Sequence, residues 1–547
     1  MNTVSGFISG FINGFITKIP EHIQTFAQTI SNTIAGQGIP PSMACVVGWG
    51  VTSLVMAFVM VVVVPILLNF PSRGFSIPGP LDIPLWNLWV VYWQYDRFYE
   101  WLTEMTELHG GERGLWTFKL PFQPRFVAIS DPDDVRHVLK TEFYKYEKGP
   151  VFAAMADEFL GAGIFNTDGD EWYPQRKIAS HLFHVNNFRD TMIPVFHHHG
   201  DKVAAILEDA AASGSEVDLH NLFYRFTLDS AGVIAFSREI GSLDDPDAPF
   251  ARAFDYIQWA ILLRGFTPLW WLWKLLRISP IENRVRTELQ VLNSYIYEAI
   301  LESDKKAAHQ RGTSLIDLFR TSTLRSDDET AAAAAAAAEN ETLFMRDLVV
   351  NFLLAGRDTT AAALSWMFYE LARNPEVKAQ VVEEIESALG GRDFQYGDLN
   401  ALPLLYACAK ETLRLYPSVP RDLKMAVASD VLPNQGPGIS RGSWMVYMPY
   451  VMGRRESLWG PDAKTWRPAR WLEPDFEAPS PYKFIAFNAG KRTCLGERMA
   501  YLEILCLSVQ LLQRFDFALA PTADVRPQFQ ITLSMANGLP MTVTKRL

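Results

Sequence analysis

The chain has 547 residues and the composition of an ordinary folded protein, with 49% hydrophobic and 20% charged residues. Its formal net charge of −11, without any basic stretch, argues against a nucleic-acid partner. The four cysteines (Cys45, Cys408, Cys494 and Cys506) show no paired spacing, which favours a reducing compartment and excludes a zinc cluster of the usual spacing. The length allows either several average domains or one large enzyme domain.

Two apolar segments open the chain. Residues 43–68 carry no charge and are dominated by Val, Leu, Met and Ala. Because a helix rises about 1.5 Å per residue, this stretch is long enough to cross a hydrocarbon core of about 30 Å. We predict a transmembrane anchor here, with a buried core helix as the alternative. Residues 1–42 begin with Phe-Ile pairs that recur every four residues, which predicts an amphipathic segment on the membrane surface; a targeting peptide is the alternative.

Two further segments carry no chemistry. Residues 69–80 end in Ile77-Pro78-Gly79-Pro80, a stiff and turn-prone linker, so we expect the catalytic domain over residues 81–547. Residues 326–341 contain an uninterrupted run of alanines flanked by acids. Alanine favours helix, but the segment has no apolar face to bury, which predicts a solvent-exposed insertion between two helices.

Trp172 and Arg176 form the first informative motif, W-x-x-x-R. Their i,i+4 spacing places both side chains on one face of a helix, where two donors can reach one carboxylate. We expect Pro174 in the first turn of that helix, where proline is accepted. An amphipathic surface helix explains the motif equally well.

Residues 346–373 are predicted to form one long helix with an unusual centre, Ala355-Gly356-Arg357-Asp358-Thr359-Thr360. Glycine weakens the helical ladder there, and hydroxyls can return hydrogen bonds to carbonyls four residues back. Loss of a backbone hydrogen bond would open a groove large enough for O₂ and water. The alternative is a crossing of two helices at small residues.

Glu411 and Arg414 form the pattern E-x-x-R, which places both side chains on one helical face. The pattern is too common to indicate a function by itself. It is followed by Leu415-Tyr416-Pro417-Ser418-Val419-Pro420.

Residues 487–496, Phe-Asn-Ala-Gly-Lys-Arg-Thr-Cys-Leu-Gly, are the most informative segment, and an apolar helical run follows them. Cys494 precedes the helix N-terminus, whose free N–H groups favour a thiolate. Gly490 and Gly496 allow tight turns and the close approach of a flat ligand, and Arg492 adds a fixed positive charge. A buried thiolate with apolar cover and an adjacent anion anchor is what a haem iron needs.

With these motifs in this order, the chain resembles the cytochrome P450 haem-thiolate monooxygenases beyond Pro78. The resemblance implies a mainly α fold with small β-sheets, a triangular helical prism around haem, behind an N-terminal transmembrane helix. It places the sheets near Phe126–Ile129 and the C-terminus. It implies haem b as cofactor, with O₂ and NADPH-derived electrons as co-substrates and Cys494 as the metal ligand. The implied haem-binding residues are Cys494, Arg492, Phe487, Trp172, Arg176, Gly490 and Gly496.

The same resemblance assigns roles to three further groups. Thr359 donates a hydrogen bond to dioxygen and Asp358 relays protons to it, with Thr360 as a weaker candidate. Glu411, Arg414 and Arg470 form a buried structural triad. Residue 469, near this triad, is alanine where the family usually has an acid.

A finer resemblance is to the long-chain fatty-acid ω-hydroxylases of plants and microbial eukaryotes. It rests on residues 163–169, 450–454 and 535–539. It predicts terminal hydroxylation of fatty acids or alkanes in an apolar pocket lined by Val419-Pro420, Phe152-Ala153-Ala154 and the turn at 533–539. Alternatives are oxidation of sterols, terpenoids or xenobiotics, a haem-thiolate isomerase or dehydratase, and an inactive membrane scaffold.

The resemblance also implies partners and a location. The partners are an NADPH-dependent diflavin reductase, the lipid bilayer and a hydrophobic substrate. The location is the endoplasmic reticulum membrane, crossed once, with the catalytic domain facing the cytosol.

Overall fold

The structure is a computed structural model that describes residues 77–80, 84–120, 123–267, 269–307, 314–317 and 341–546. The predicted interfacial segment (1–42), the anchor (43–68), most of the linker and residues 326–340 of the insertion lie outside these ranges. Within the ranges, no helix combines the length and the apolar character that a bilayer crossing requires. The anchor and the insertion therefore stay predictions.

Helices dominate the described residues, as the resemblance predicted. The α-helices of five or more residues are α1 Pro84–Trp93, α2 Phe98–His109, α3 Pro132–Arg136, α4 Gly149–Leu160, α5 Gly169–Ser180, α6 Ile193–Ser213, α7 Leu219–Phe236, α8 Pro249–Arg264, α9 Trp270–Leu275, α10 Pro280–Ala307, α11 Glu341–Arg373, α12 Pro375–Leu389, α13 Pro403–Leu415 and α14 Glu497–Arg514. The long helix predicted over residues 346–373 is confirmed, and it begins five residues earlier, at Glu341.

The prediction for Pro174 is wrong. Helix α5 begins at Gly169, so Pro174 is its sixth residue and lies in the second turn rather than the first. Proline there cannot donate a backbone hydrogen bond to the preceding turn. The motif itself does form on this helix, since Trp172 and Arg176 both lie within α5.

Short strands form four small sheets. They are β1 Trp116–Lys119, β2 Arg125–Ile129, β3 Tyr146–Glu147, β4 Val217–Asp218, β5 Asp422–Ala426, β6 Asp430–Val431, β7 Gly438–Ile439, β8 Trp444–Tyr447, β9 Phe515–Leu519, β10 Pro527–Gln528, β11 Ser534–Met535 and β12 Pro540–Lys545. The largest sheet has the order β1-β2-β8-β5-β3, and only its β2–β8 pair is parallel. The sheets expected near Phe126–Ile129 and the C-terminus are thus confirmed.

Helix α11 lies at the centre of this arrangement, in contact with α7, α13 and α14. Its residues Leu364, Met367 and Phe368 are buried in the main hydrophobic core, together with Phe226 of α7 and Leu505 of α14. A helix surrounded in this way carries apolar residues on most of its faces. Residues Phe75–Leu547 form one compact unit. Helix α11, with 33 residues, is part of this unit.

Candidate functional site

Cys494 lies in a tight loop directly before α14. Its N–H donates to the carbonyl of Phe487 at 2.8 Å, which closes the loop. Gly490 has φ +68°, and a Cβ there would stand 2.1 Å from the carbonyl oxygen of Leu139, so only glycine fits. Gly496 is different, because a Cβ there would meet its nearest protein atom at 3.6 Å, an ordinary contact. Protein packing therefore requires glycine at 490 but not at 496.

Cys494 is exposed as a residue, and its sulfur lies against the backbone N–H groups of Gly496 and Glu497. Burial raises its pKa, and hydrogen bonds from the N–H groups of Gly496 and Glu497, with the charge of Arg176, lower it only in part. The net pKa is raised, so the helix N-terminus alone does not favour the thiolate as the sequence suggested. Coordination to a metal ion deprotonates a thiol outright, so the raised pKa of Cys494 does not prevent it from acting as a thiolate ligand.

Trp172 holds two arginines beside the cysteine loop. Its ring centre lies 5.7 Å from the guanidinium of Arg176 and 4.5 Å from that of Arg492. The guanidinium of Arg492 also donates to a carboxylate oxygen of Asp168 at 2.6 Å and to the carbonyl of Thr167 at 2.7 Å. Arg176 has no ion pair or hydrogen bond within the described ranges. The three residues predicted to share a site are therefore together, and one guanidinium among them is unpaired.

Lys424 is the residue of this site that the sequence did not reveal. It lies on β5 and is 1% exposed, and among the described residues its ammonium group has no hydrogen-bond partner. Burial lowers its pKa far below the usual value, and the charge of Lys148 lowers it further. Lysine is almost never fully buried unless it is paired. The only sequence signal was one cation between Leu423 and Met425 in a short strand.

These residues fit haem b, whose two propionates need cations and whose iron needs a thiolate. Arg176 and Lys424 are both unpaired among the residues described, and both lie close enough to Arg492 for its charge to lower their pKa values. Phe487 adds an apolar, partly buried ring 5.1 Å from that of Tyr501. The donor set therefore combines a thiol, apolar cover and unneutralised positive charge.

Thr359 lies on the partly accessible face of α11, which it shares with Ala355 and Gly356. Its hydroxyl donates to the carbonyl of Ala355 at 2.6 Å, the bond to the preceding turn that the sequence predicted. The alternative, a crossing at small residues, is also present on this helix: a Cβ on Gly356 would meet Ala231 of α7 at 3.5 Å. Helix α11 continues through this segment without a break, and the groove stays a prediction.

Asp358 is 2% exposed and pairs with Arg357 at 3.2 Å. Burial raises its pKa to about 6, and the charge of Arg357 limits the rise. Arg357 also pairs with Asp255, whose side chain is 57% exposed. A chain of charged groups thus connects a buried carboxyl on α11 with the protein surface.

Thr360 has a different environment from its neighbour. It is buried near Glu503 of α14, whose pKa burial raises to about 8 and the Thr360 hydroxyl partly lowers. Thr359 is therefore the more accessible of the two threonines, and its role toward dioxygen stays a prediction.

The Glu411 triad is fully assembled. The carboxylate accepts hydrogen bonds from Arg414 (2.9 and 2.8 Å), from Arg470 (2.9 Å), from the indole of Trp471 (2.9 Å) and from the backbone N–H of Arg467 (2.9 Å). Burial alone would raise the pKa of Glu411, but Arg414 and the other donors lower it below the usual range. The triad thus holds a fully ionised carboxylate with every partner present.

The Glu411 triad connects to the cysteine loop through aromatic packing. The ring of Trp471 lies 5.0 Å from that of Phe484, three residues before Phe487. Arg414 also donates to the carbonyls of Ala463 (2.6 Å) and Thr465 (3.0 Å), which holds the intervening chain in place.

The turn predicted at residues 533–539 is present beside α11. Gly538 has φ +69°, and a Cβ there would lie 2.3 Å from the carboxylate of Asp218, so the turn requires glycine. The N–H of Leu533 donates to the carbonyl of Ser418 at 2.9 Å, and the Ser418 hydroxyl donates to the carbonyl of Thr359 at 2.6 Å. These two bonds bring the turn and the segment after α13 to the Thr359 face of α11.

Comparison with known proteins agrees with this geometry. The cytochrome P450 family model matches residues 78–541. Cytochrome P450 704B1 of Arabidopsis thaliana is 35% identical over 490 residues, covering 83% of this chain and 92% of that protein. Cytochrome P450 86B1 of the same plant is 34% identical over 475 residues, covering 82% of each. Cytochrome P450 monooxygenase cyp1 of Mycosarcoma maydis is 32% identical over 470 residues, covering 82% of this chain and 71% of that protein.

These matches span most of this chain and most of each relative, and they confirm the family predicted from the motifs. The chain belongs to the cytochrome P450 family, and it is a haem-dependent monooxygenase that uses O₂ and NADPH-derived electrons, supplied through a redox partner, to oxidise a hydrophobic substrate.

Proposed function

We propose that this enzyme hydroxylates the terminal carbon of long-chain fatty acids. Haem, with O₂ and two electrons, supplies the insertion of one oxygen atom into a C–H bond. The observation that carries the proposal is the hydrogen-bonded junction of Ser418 and Leu533 at the Thr359 face of α11. This junction places apolar residues next to the one accessible hydroxyl of the helix centre, where a methyl group can be held.

The protein's part in haem binding follows from the donor set. Cys494 supplies the thiolate to iron, and Phe487 covers it. Arg176 and Arg492 bind propionate, with Trp172 holding both guanidiniums in place. Lys424 joins them because a buried ammonium group without a partner is stabilised by an anion. Gly490 keeps the loop against Leu139, and Gly496 leaves room for the flat cofactor. Glu411, Arg414 and Arg470 support the loop from behind.

Two residues of α11, Thr359 and Asp358, hold or transfer protons. The Thr359 hydroxyl donates its single proton to the carbonyl of Ala355, which fixes its orientation, and passes the proton toward dioxygen only when that bond breaks. Asp358 takes protons from solvent, which is reached through Arg357 and Asp255. A carboxyl with a pKa of about 6 changes protonation state easily at neutral pH.

The family resemblance supports the remaining assignments. An NADPH-dependent diflavin reductase delivers the electrons. The apolar segment 43–68 anchors the enzyme in the endoplasmic reticulum membrane, with the catalytic domain in the cytosol.

Product regiochemistry tests this function. The purified full-length enzyme is incubated with a diflavin reductase, NADPH and saturated fatty acids of C12 to C18, and the products are identified by mass spectrometry. We expect hydroxylation at the terminal carbon in preference to the neighbouring methylene, although the terminal C–H bond is the stronger one, because only enforced geometry gives this result. Dominant subterminal products, or turnover of sterols without turnover of fatty acids, would contradict the proposal.

A further inference from the structure

Arg421 is a third cation without a carboxylate partner among the described residues, and it lies apart from the cysteine loop. It is half-buried, and its Nε atom is buried without a hydrogen-bond partner in the described part of the chain. No ion pair of Arg421 occurs in the part of the chain that the structure describes. Its polar neighbour is the hydroxyl of Tyr99, which influences its pKa. The adjacent Asp422 cannot neutralise it fully, because that carboxylate already bonds Lys148 at 2.9 Å and Tyr447 at 2.5 Å.

The surroundings of Arg421 are aromatic. The guanidinium lies 4.8 Å from the ring centre of Phe529 and 5.8 Å from that of Phe98. Phe266 joins them, 5.2 Å from Phe529. These rings come from the chain after β10, the start of α2 and the chain after α8. Three distant segments therefore converge on one positive charge in an apolar frame, which suits a ligand with an apolar body and an anionic end.

The backbone ties Arg421 to the reaction site. Ser418 donates to the carbonyl of Thr359 at 2.6 Å, and Arg421 follows three residues later, which is at most about 10 Å of extended chain. Hydrogen bonds from Leu533 to Ser418 (2.9 Å) and from Tyr450 to Pro420 (3.2 Å) fix this short segment. Hydrogen bonds thus fix the backbone of residues 418–421, which begins beside Thr359 and ends at Arg421.

We propose that Arg421 binds the carboxylate of the substrate, so that the enzyme acts on free fatty acids in preference to alkanes or esters of the same length. The inference rests on the proposed function, since it identifies the polar end of the same substrate. A guanidinium offers several donors in a planar fork that matches a carboxylate. The carboxylate of the acid can make this contact, whereas neutral analogues of the same length cannot.

The alternative is that Arg421 is structural and only stacks on Phe529. The two roles differ in their dependence on ligand charge. A carboxylate anchor matters for the acid and not for its neutral analogues, whereas a structural cation matters equally for all of them.

Binding titrations separate these roles. The haem-loaded full-length enzyme is titrated with dodecanoic acid, methyl dodecanoate and dodecane, following the haem absorbance change on substrate binding. For Arg421→Gln we expect the Kd for the acid to rise about 10- to 100-fold, the range for loss of a charged hydrogen-bond partner, with the Kd for the ester and the alkane nearly unchanged. Arg421→Lys should recover part of the loss. Arg441→Gln, at an exposed arginine, is the matched control and should change none of the three.

Each outcome has a distinct meaning. Equal weakening of acid, ester and alkane in Arg421→Gln would overturn the anchor and indicate a structural role. An unchanged Kd for the acid would overturn it as well, while terminal hydroxylation by the same variant would leave the proposed function standing. A wild-type enzyme that binds and oxidises none of the C12 to C18 compounds would overturn both. Haem content, measured for every variant, distinguishes a lost anchor from a misfolded protein.

Discussion

Two regions of the site satisfy their polar groups in opposite ways. In the cysteine region, comprising residues 487–496 and the Glu411 triad, the Glu411 carboxylate accepts five hydrogen bonds and Gly490 fits directly against Leu139. In the α11 region, comprising residues 355–360 and 418–421, Arg421 keeps an unpaired Nε and Asp358 has a raised pKa. The first region is fixed before any ligand arrives, whereas the second keeps groups that a substrate or a proton can engage.

The largest effect predicted from this contrast is at Cys494, the proposed iron ligand. Cys494→Ser should abolish the carbon monoxide difference spectrum that is specific to haem thiolate, because a neutral hydroxyl is a poor donor to iron. Cys408→Ser and Cys506→Ser are matched controls, since both thiols are buried elsewhere in the core and should leave the spectrum unchanged. Retention of the thiolate spectrum in Cys494→Ser would refute the assignment.

The next effect tests whether the cysteine region is fixed by its charges. Glu411→Gln leaves two buried guanidiniums without their carboxylate, which costs about 3–5 kcal/mol. We expect a lower apparent Tm and a low ratio of haem to protein. Arg467→Gln is the control, because its side chain is 39% exposed and its ion pairs contribute at most about 1 kcal/mol. Equal haem content in the two variants would show that the triad does not support the loop.

The sequence predicted the cysteine region better than the α11 region, and the reason is physical. Cys494, Gly490 and Arg492 lie within ten residues, so their roles follow from local backbone geometry and charge. The Glu411 triad needed the family resemblance, because the pattern E-x-x-R does not identify Arg470 as its third member.

The unpaired cations could not be predicted in this way. Lys424 and Arg421 become buried, unpaired cations only in the folded chain, where distant segments exclude both water and carboxylates from their side chains. No periodicity marks such a position in a strand or a loop. The long helix over residues 346–373 was predictable from its length and composition, but the start of α5 was not, so Pro174 was placed in the wrong turn.

Within the α11 region, Thr359→Ala should lower the fraction of NADPH electrons that end in product, and it should leave the fold unchanged. Loss of one hydrogen bond of about 1.4 kcal/mol should lower product formed per NADPH by about tenfold, with hydrogen peroxide or water in its place. The comparison is with Thr360→Ser, which keeps the hydroxyl next to Glu503 and should remain coupled. Haem content should be normal in both. Unchanged coupling in Thr359→Ala would contradict the proton-holding role.

The smallest expected effect concerns the pH dependence of coupling. Asp358 has a pKa of about 6, raised by burial, so its ionised fraction falls about tenfold for each pH unit below 6. A relay that must accept protons from solvent should therefore slow between pH 7 and pH 5, and Asp358→Asn should be slow and nearly independent of pH. Stability changes in the opposite sense: the raised folded pKa stabilises the protein below about pH 4 and this contribution is lost as the pH rises through 6, so unfolding through this group cannot mimic the slower rate.

Asp255→Asn sharpens the same test, because the charge of Asp255 helps to raise the pKa of Asp358 while that of Arg357 lowers it. Removing Asp255 leaves Arg357 with Asp358 as its remaining carboxylate partner among the described residues. The apparent pKa in the profile of product per NADPH should then move below 6. An apparent pKa that does not move in Asp255→Asn would show that another group carries the protons. A pH dependence that remains in Asp358→Asn would show the same.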